Sequence, residues 1–439
     1  MKIAVVGLGA AGLRACMLLE QAGYEVTGFE ARDRLGGRLY TVVNPEGGRY
    51  EAGGEWIDAD HRRVLGLLAE LGLEAHDRPS GSRRVSWRDS VCDEELLWSD
   101  VIDDAARFHE AVRRQCRGLS LPPWRNVSAT ELDEATVDRF IAENCRSERG
   151  RWYLNAVARS DEGEEPARVG LLGWLCGQLH YMDRGGGEMS SCRFPGGAGN
   201  VCNRIAQRLR ADLRLNCYLR RVHQEGSQVM LDFDGFSESF DRVILTLPPR
   251  SLETVVFEPA LPPQARCAQE ACAMGRIIKL VWQFKEAWWR TEGWSGSLLT
   301  DGPLQQLWDG SLGETPTLTA YICGDEADRW AALGDPVRAG LFELGQMHSA
   351  APDLFLDGRM HHWHGDPLAG GGFSYLAPGY VLGHMEAIAH HHHRVHFAGE
   401  HTANWSGFIE GALESAERAV HEIEAIEKGD RTGHDDTTA

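Results

Sequence analysis

Gly7-Leu8-Gly9-Ala10-Ala11-Gly12 carries three glycines at a spacing that lets the chain turn tightly, admit a pyrophosphate against its backbone and seat a helix close to a strand. A helix opening there offers free N–H groups and a favourable dipole to phosphates. Glu30 ends the next apolar run, where a carboxylate suits both hydroxyls of a ribose and disfavours a 2′-phosphate. The chemistry is dinucleotide binding, and NADP does not suit it. The following run, Ala31-Arg32-Asp33-Arg34-Leu35-Gly36-Gly37-Arg38, adds a second glycine turn and a cation, as the longer FAD molecule requires.

Lys279 is the second candidate, because it stands inside the apolar run IIKLVWQF. A buried ammonium is costly unless it is paired, hydrated or functional. The 45 cationic residues include only Lys2, Lys279, Lys285 and Lys428 as lysines, so a compact ammonium rather than a guanidinium is wanted here. The alternative is a lysine snorkelling from a strand end into solvent. Glu55 and Asp58 follow the glycine pair Gly53-Gly54 and are either substrate-facing acids or solvated loop acids. The histidine run 390–393, with His396 and His401 nearby, lacks partners at ligand spacing and is not read as a metal site.

These residues need elements to hold them. KIAVVG, AAGLRACMLLEQAG and EVTGFEA read as the strand, helix and strand of one βαβ unit. Glycines and a change of period mark the opening run as a buried fold element, not a signal peptide. A helix is expected at HRRVLGLLAELGLE. From about Ala75 to Met189 the chain turns helical and charged, with polar joins such as PSGSRR and SDEGEEPARVG, as an inserted domain would. Strand character returns in LRLNCYLRRVHQ, SQVMLDF, FDRVILTLPP, IIKLVWQF and RVHFAGE, and a last helix covers WSGFIEGALESAERAVHEIEAIE.

Composition bounds the function. A net charge of −20 argues against nucleic-acid binding, and 43% apolar residues call for a large core. Eleven scattered cysteines without a CxxC pair suit a reducing compartment, so a cytoplasmic location is expected. No run has the length of a membrane span.

With these motifs in place the sequence resembles the flavin-dependent amine oxidase family, which includes monoamine oxidases, polyamine oxidases and L-amino-acid oxidases. Ala52-Gly53-Gly54-Glu55-Trp56-Ile57 is similar to the family's glycine pair before the flavin ring, and Phe194-Pro195-Gly196-Gly197 to its mid-chain glycine turn. Phe397-Ala398-Gly399-Glu400-His401-Thr402 and Gly407-Phe408-Ile409-Glu410-Gly411-Ala412 are similar to its C-terminal signature. The matches cover most of the chain outside the helical insert.

The resemblance implies an α/β fold: a two-domain protein whose FAD-binding, Rossmann-like (glutathione-reductase-like) nucleotide domain interleaves with an α+β substrate domain. Residues 1–75, 193–250 and 385–425 form the first, 76–192 and 251–384 the second, and 426–439 a flexible tail. It also implies that Gly7, Gly9, Ala11, Gly12, Glu30, Ala31 and Arg32 hold FAD, together with Gly37, Arg38, Gly53, Gly54, Glu55 and Trp56. Leu219 would hold the adenine, and Gly399, Glu400, Gly407, Phe408 and Ile409 the rest of the cofactor. Gly372 stands where monoamine oxidases carry a cysteine joined to the flavin, so FAD is expected to be non-covalent. Lys279 would hold a water beside flavin N5. Phe373 and Phe408 would flank the substrate where those enzymes place two tyrosines; core packing is the alternative for each.

Glu55-Trp56-Ile57-Asp58 lacks the arginine with which L-amino-acid oxidases grip a carboxylate, and Asp58 stands near the acid that polyamine oxidases use for a distal ammonium. Trp56, Tyr153, Trp174 and Tyr181 are read as core rather than pocket aromatics. The expected activity is oxidation of an amine by hydride transfer to flavin N5, giving an imine, then a carbonyl compound with ammonia or amine. Molecular oxygen is the expected acceptor, yielding hydrogen peroxide. A small-molecule amine is the expected partner, with no nucleic acid or membrane, and a homodimer stays open. L-amino-acid oxidation, desaturation of an apolar substrate and a non-catalytic FAD-binding scaffold are the alternatives.

Overall fold

The structure, a computed structural model, describes residues 1–44, 48–88, 90–182 and 189–435, with 430–435 described by backbone alone. The strand Lys2–Val6 sits in the middle of a five-stranded parallel sheet of order 212–214, 25–29, 2–6, 242–245 and 395–397. Parallel strands need both faces covered. Side-chain alternation divides the work: Ile3 and Val5 pack into a core with Leu13 and Leu19 of the helix Ala10–Gln21, Val201 of Ala198–Arg208 and Leu413 of Ile409–Asp435. Ala4 and Val6 face a second sheet built from Leu219–Glu225, Gln228–Phe233 and Phe236–Phe240. There Phe29 stacks on Phe233 with ring centroids 4.4 Å apart.

The last helix continues to Asp435, past the tail expected from 426. Glu427, where the apolar pattern ends, accepts a 2.9 Å hydrogen bond from the buried Arg242 guanidinium of the parallel sheet. Residues 436–439 lie outside the described residues.

A seven-stranded sheet has the order 355–362, 277–284, 317–323, 306–309, 294–300, 82–87 and 90–93. Its hairpin 82–93 falls inside the segment expected to be helical. The strand was hidden because the consecutive Arg83 and Arg84 break its apolar alternation: Val85 is buried while the stem of Arg84 carries its guanidinium over the Trp294 ring. The rest of the insert is helical, with Phe108, Phe140 and Trp174 packed together from Ser99–Cys116, Val137–Asn144 and Leu171–Met182. Between them runs Glu148–Glu162, started by the Ser147 hydroxyl accepting from the Gly150 N–H at 2.9 Å and ended by Gly163 at φ +66°. No helix among the described residues is long and apolar enough to cross a membrane.

Candidate active site

A cavity of about 330 Å³ joins the glycine turn after the first strand to the helical insert. Gly7, Gly9, Ala11, Glu30, Ala31 and Arg32 line one end, and Gly37, Arg38, Gly53, Gly54, Glu55 and Trp56 continue along it. Gly399, Glu400, Gly407, Phe408 and Ile409 complete the wall together with Lys279 and with Phe373, whose ring lies close to Gly407. Gly12 and Leu219 stand outside the wall. Gly12 instead allows the close approach of helix and turn, since a Cβ there would lie 1.9 Å from the Gly7 carbonyl oxygen. Leu219 is buried in the core beneath the parallel sheet.

At the glycine end Glu30 is oriented by the backbone. Its Oε2 accepts the Leu8 N–H at 2.8 Å and its Oε1 the Arg32 N–H at 3.0 Å, leaving each oxygen further lone pairs. Arg32 turns its guanidinium to Asp366 at 2.7 and 2.9 Å. Arg38 donates to Glu400 Oε1 at 2.7 Å and to the Gly372 carbonyl at 3.1 Å. Glu400 also accepts from the Ser374 N–H and hydroxyl and from the Gly407 N–H. Burial pushes its carboxyl up, but the Arg38 charge, His401 and the Ser374 hydroxyl outweigh this and hold it below the ordinary value.

Side-chain alternation fixes where Lys279 goes. In the wholly buried strand Ile277–Phe284, Ile278, Leu280, Trp282 and Phe284 enter the core of the seven-stranded sheet, so Lys279 faces the cavity. Its Nζ donates to the Gly53 carbonyl at 2.7 Å and to Glu55 Oε1 at 2.9 Å. Trp308 Nε1 donates to the same oxygen at 2.7 Å, while an Arg193 nitrogen lies 3.7 Å from Glu55 Oε2. With Lys279 only 5% and Glu55 only 3% exposed, neither the snorkelling lysine nor the solvated loop acid describes them. One of the three ammonium N–H groups remains for a water. Burial raises the neighbouring Glu51 carboxyl to about 7, helped by Glu55, and lowers His361 to about 4, helped by Lys279.

The other end of the cavity belongs to the insert. Asp58 is buried, with Oδ1 accepting the Ser190 N–H at 2.7 Å and Oδ2 the Tyr181 hydroxyl at 3.0 Å; His61 Nε2 lies 3.4 Å from Oδ2. Tyr181 thus holds an acid rather than packing in the core, where Tyr153 and Trp174 do pack. Trp56 and Phe408 line the cavity, Phe408 lying edge-on to His61 at 5.5 Å.

Asp161 also lines this end, and sequence reasoning passed over it as part of a polar join. It occupies the last turn of Glu148–Glu162 and has no hydrogen-bond or ion-pair partner among the described residues. Burial, then Glu162 and Asp58, push its carboxyl up to about 8. The adjacent acids of SDEGEE were the available signal. Trp308 and Tyr321 on the wall had no distinguishing one.

The geometry fits an elongated dinucleotide cofactor. A Cβ on Gly53 would lie 1.9 Å from the Arg38 carbonyl oxygen, so this wall is made by backbone alone. No cysteine stands on the described wall to bond a cofactor.

Comparison with known proteins gives the same picture. The profile of the family described as flavin containing amine oxidoreductase matches residues 10–424. Flavin-containing amine oxidase A of Sus scrofa is 28% identical over 96% of this chain and 84% of its own length. An L-amino acid dehydrogenase of Synechocystis is 26% identical over 95% and 94% of the two chains. The structure of cyclohexylamine oxidase from Brevibacterium oxydans IH-35A superposes with a TM-score of 0.87 at 27% identity, covering 97% of this chain and 99% of that one. Putrescine oxidase bound to putrescine shares the fold at a TM-score of 0.87 and 22% identity, covering 97% of this chain and 99% of that one.

Proposed function

The chain belongs to the flavin-containing amine oxidoreductases and takes FAD, and from that membership we propose that it oxidises an amine lacking an α-carboxylate. The observation that carries the substrate class is the pairing of every lysine and arginine on the described cavity wall. Arg32 is held by Asp366, Arg38 by Glu400 and Lys279 by Glu55. Among the described residues no unpaired lysine or arginine is left on this wall to grip a substrate carboxylate, while Asp58 and Asp161 line its insert end. An amino acid would bring its negative charge towards acids.

FAD would supply, when bound, a two-electron acceptor for the hydride of the amine's Cα–H bond and a donor of those electrons to oxygen, the chemistry that yields an imine and hydrogen peroxide. The glycine turns and Glu30 would hold its nucleotide half, and Gly53, Gly54 and Ile409 would border the flavin. With Gly372 in place of a thiol, binding is non-covalent. Phe373 and Phe408 orient the neutral amine between aromatic faces and exclude water. The remaining N–H of Lys279 holds a water for proton movement beside the reacting carbon, and Glu55 and the Gly53 carbonyl fix that ammonium in place. The pieces 1–75, 193–250 and 385–425 serve the cofactor, and 76–192 and 251–384 complete the substrate side.

Anaerobic mixing of the FAD-loaded enzyme with alkylamines, arylalkylamines and L-amino acids tests this reading. Amines should bleach the flavin absorbance, and air should restore it with release of peroxide. Bleaching by L-amino acids alone, or by none of the panel, would overturn it.

A further inference from the structure

We infer that a second, water-sized cavity behind Tyr321 is the route by which the proton of an incoming ammonium leaves the main cavity, and that the Tyr321 hydroxyl passes it on. This rests on the amine-oxidising reading of the main cavity and gives a task to a wall residue that the cofactor cradle does not explain.

The second cavity measures about 10 Å³, close to the room that one water needs. Its lining is polar: Ser160, Thr300, Gln305, Gln306 and Tyr321 bring hydroxyls and amides, with Ala156 among the apolar contacts. Cavities with such walls hold water, whereas dry ones are apolar. Ser160, Gln306 and Tyr321 also line the main cavity, so these side chains form the partition between the two. The Ser160 hydroxyl donates to Gln306 Oε1 at 2.5 Å and is thereby committed. Arg159 and Gln305 line the small cavity and are themselves partly exposed, which sets it next to solvent.

Sheet register brings this partition to Lys279. In successive antiparallel pairs Lys279 stands opposite Tyr321, and Tyr321 opposite Gln306, so the three form a row across neighbouring strands on the face that lines the cavity. At one end Lys279, fixed by Glu55 and the Gly53 carbonyl, keeps an N–H for a water. At the other end Gln306 meets Ser160 of the insert. Tyr321 is the member of the row that can accept and release a proton at one atom. Around it stand Lys279 and Gln306 on the adjacent strands, Cys323 on its own strand, and Asp161 and Glu162 from the insert helix. Burial, Cys323 and these two acids hold its hydroxyl protonated, so it works by exchanging protons and not as a phenolate.

The protons balance over a cycle. An alkylamine arrives at pH 7 as RCH2NH3+, because its proton is held to about pH 10. Its nitrogen must lose one proton before the Cα–H bond can part with its hydrogen and electron pair. That proton goes to the water on Lys279; Tyr321 Oη takes one from this water while its own O–H gives one to the water of the small cavity, and solvent receives it from there. Tyr321 ends as the phenol it was. One proton returns along the row when the two electrons reach oxygen, so RCH2NH3+ and O2 become RCH=NH2+ and H2O2 with no net proton change.

The test is anaerobic bleaching of the FAD-loaded enzyme by alkylamines at pH 7 and pH 10. Tyr321→Phe keeps the ring beside Trp308, 5.8 Å between centroids, and removes the relay oxygen. Its bleaching should slow by about tenfold to a hundredfold at pH 7, within or just below the range that a positioned proton-transfer group supplies. At pH 10, where about half of the amine arrives neutral, the slowing should largely vanish. Ala156→Val fills the small cavity without altering the main wall and should show the same pH-dependent slowing. A high-resolution crystal structure should place one water in the small cavity of the wild type and none in Ala156→Val, a readout independent of turnover. If no amine bleaches the flavin, the amine reading fails and this inference falls with it. If amines bleach the wild type and Tyr321→Phe matches it at pH 7, or is slowed equally at both pH values as a merely structural hydroxyl would be, the inference fails alone. Bleaching at the wild-type rate by Ala156→Val, or a dry small cavity in the wild type, overturns it as well, and the latter decides the matter should neither variant fold.

Discussion

The two ends of one cavity treat buried charge in opposite ways. Beside Gly53 every charge is answered: the Lys279 ammonium lies 2.9 Å from Glu55, which also takes the Trp308 N–H and faces Arg193. At the insert end Asp161 stands without a partner among the described residues, next to two further acids. Breaking a buried pair leaves an uncompensated ion, whereas an unpartnered acid meets that cost by holding its proton. The first end is thus preorganised by the protein, and the second leaves a carboxyl open to the cavity.

The largest break in that comparison comes from the wall that fixes the first end. In Gly53→Ala the new methyl would lie 1.9 Å from the Arg38 carbonyl oxygen, so backbone must move, and with it the carbonyl that holds Lys279. The purified variant is expected to lose its flavin absorbance and all amine-driven reduction. Retention of FAD at the wild-type level would show that the glycine wall is not the cofactor's.

Lys279→Met attacks the same end through its charge. Glu55 would be left buried without its nearest cation, and the variant should lose about 3–5 kcal/mol of stability. Adding Glu55→Gln should return most of that loss without returning turnover, because the ammonium that positions a water is still missing. Chemical denaturation of the singles and the double closes the cycle. Independent, additive losses would mean that the pair does not act as a unit.

How far the sequence disclosed these two ends follows from how local each is. Gly7, Gly9, Gly12 and Glu30 belong to one βαβ unit, so spacing alone placed them, although Gly12 serves helix packing rather than the cavity wall. Lys279 was legible because an ammonium among apolar neighbours needs a reason, but its partner was not, since Glu55 lies on a distant segment brought in by folding. Asp161 was illegible for a different reason: in SDEGEE it looks like any solvated acid. Only the helix end and the cavity distinguish it. The hairpin at 82–93 was concealed by the consecutive Arg83 and Arg84, the second lying over the Trp294 ring, and the last helix runs to Asp435, beyond its apolar pattern, with Glu427 paired to Arg242 where that pattern ends.

At the insert end the expected effect is smaller and has a pH sign. The folded Asp161 carboxyl keeps its proton to about pH 8, while in the unfolded chain it ionises near pH 4. Between these values the unfolded chain binds fewer protons, so this group's contribution to stability falls as pH rises and levels off above about 8. Asp161→Asn removes that slope. Its melting temperature relative to wild type should climb from pH 5 to pH 8, by about 1–3 °C. Glu162, raised to about 7 by burial, keeps a slope of the same sign in both proteins. A difference that stays flat across this range would place the Asp161 carboxyl at an ordinary affinity for protons and weaken the contrast between the two ends.

The smallest change sharpens the contrast instead. Tyr181 donates its hydroxyl to Asp58 Oδ2 at 3.0 Å, and the Ser190 N–H holds the other oxygen. Tyr181→Phe keeps the ring against Trp405, where the centroids are 5.5 Å apart, but withdraws that donor. Among the described residues Asp58 then keeps only the Ser190 N–H and the nearby His61, and the variant should lose about 0.5–1.5 kcal/mol of stability, the net worth of one hydrogen bond. Chemical denaturation reads the loss, and a variant as stable as wild type would mean that the hydroxyl contributes nothing to holding this acid at the insert end.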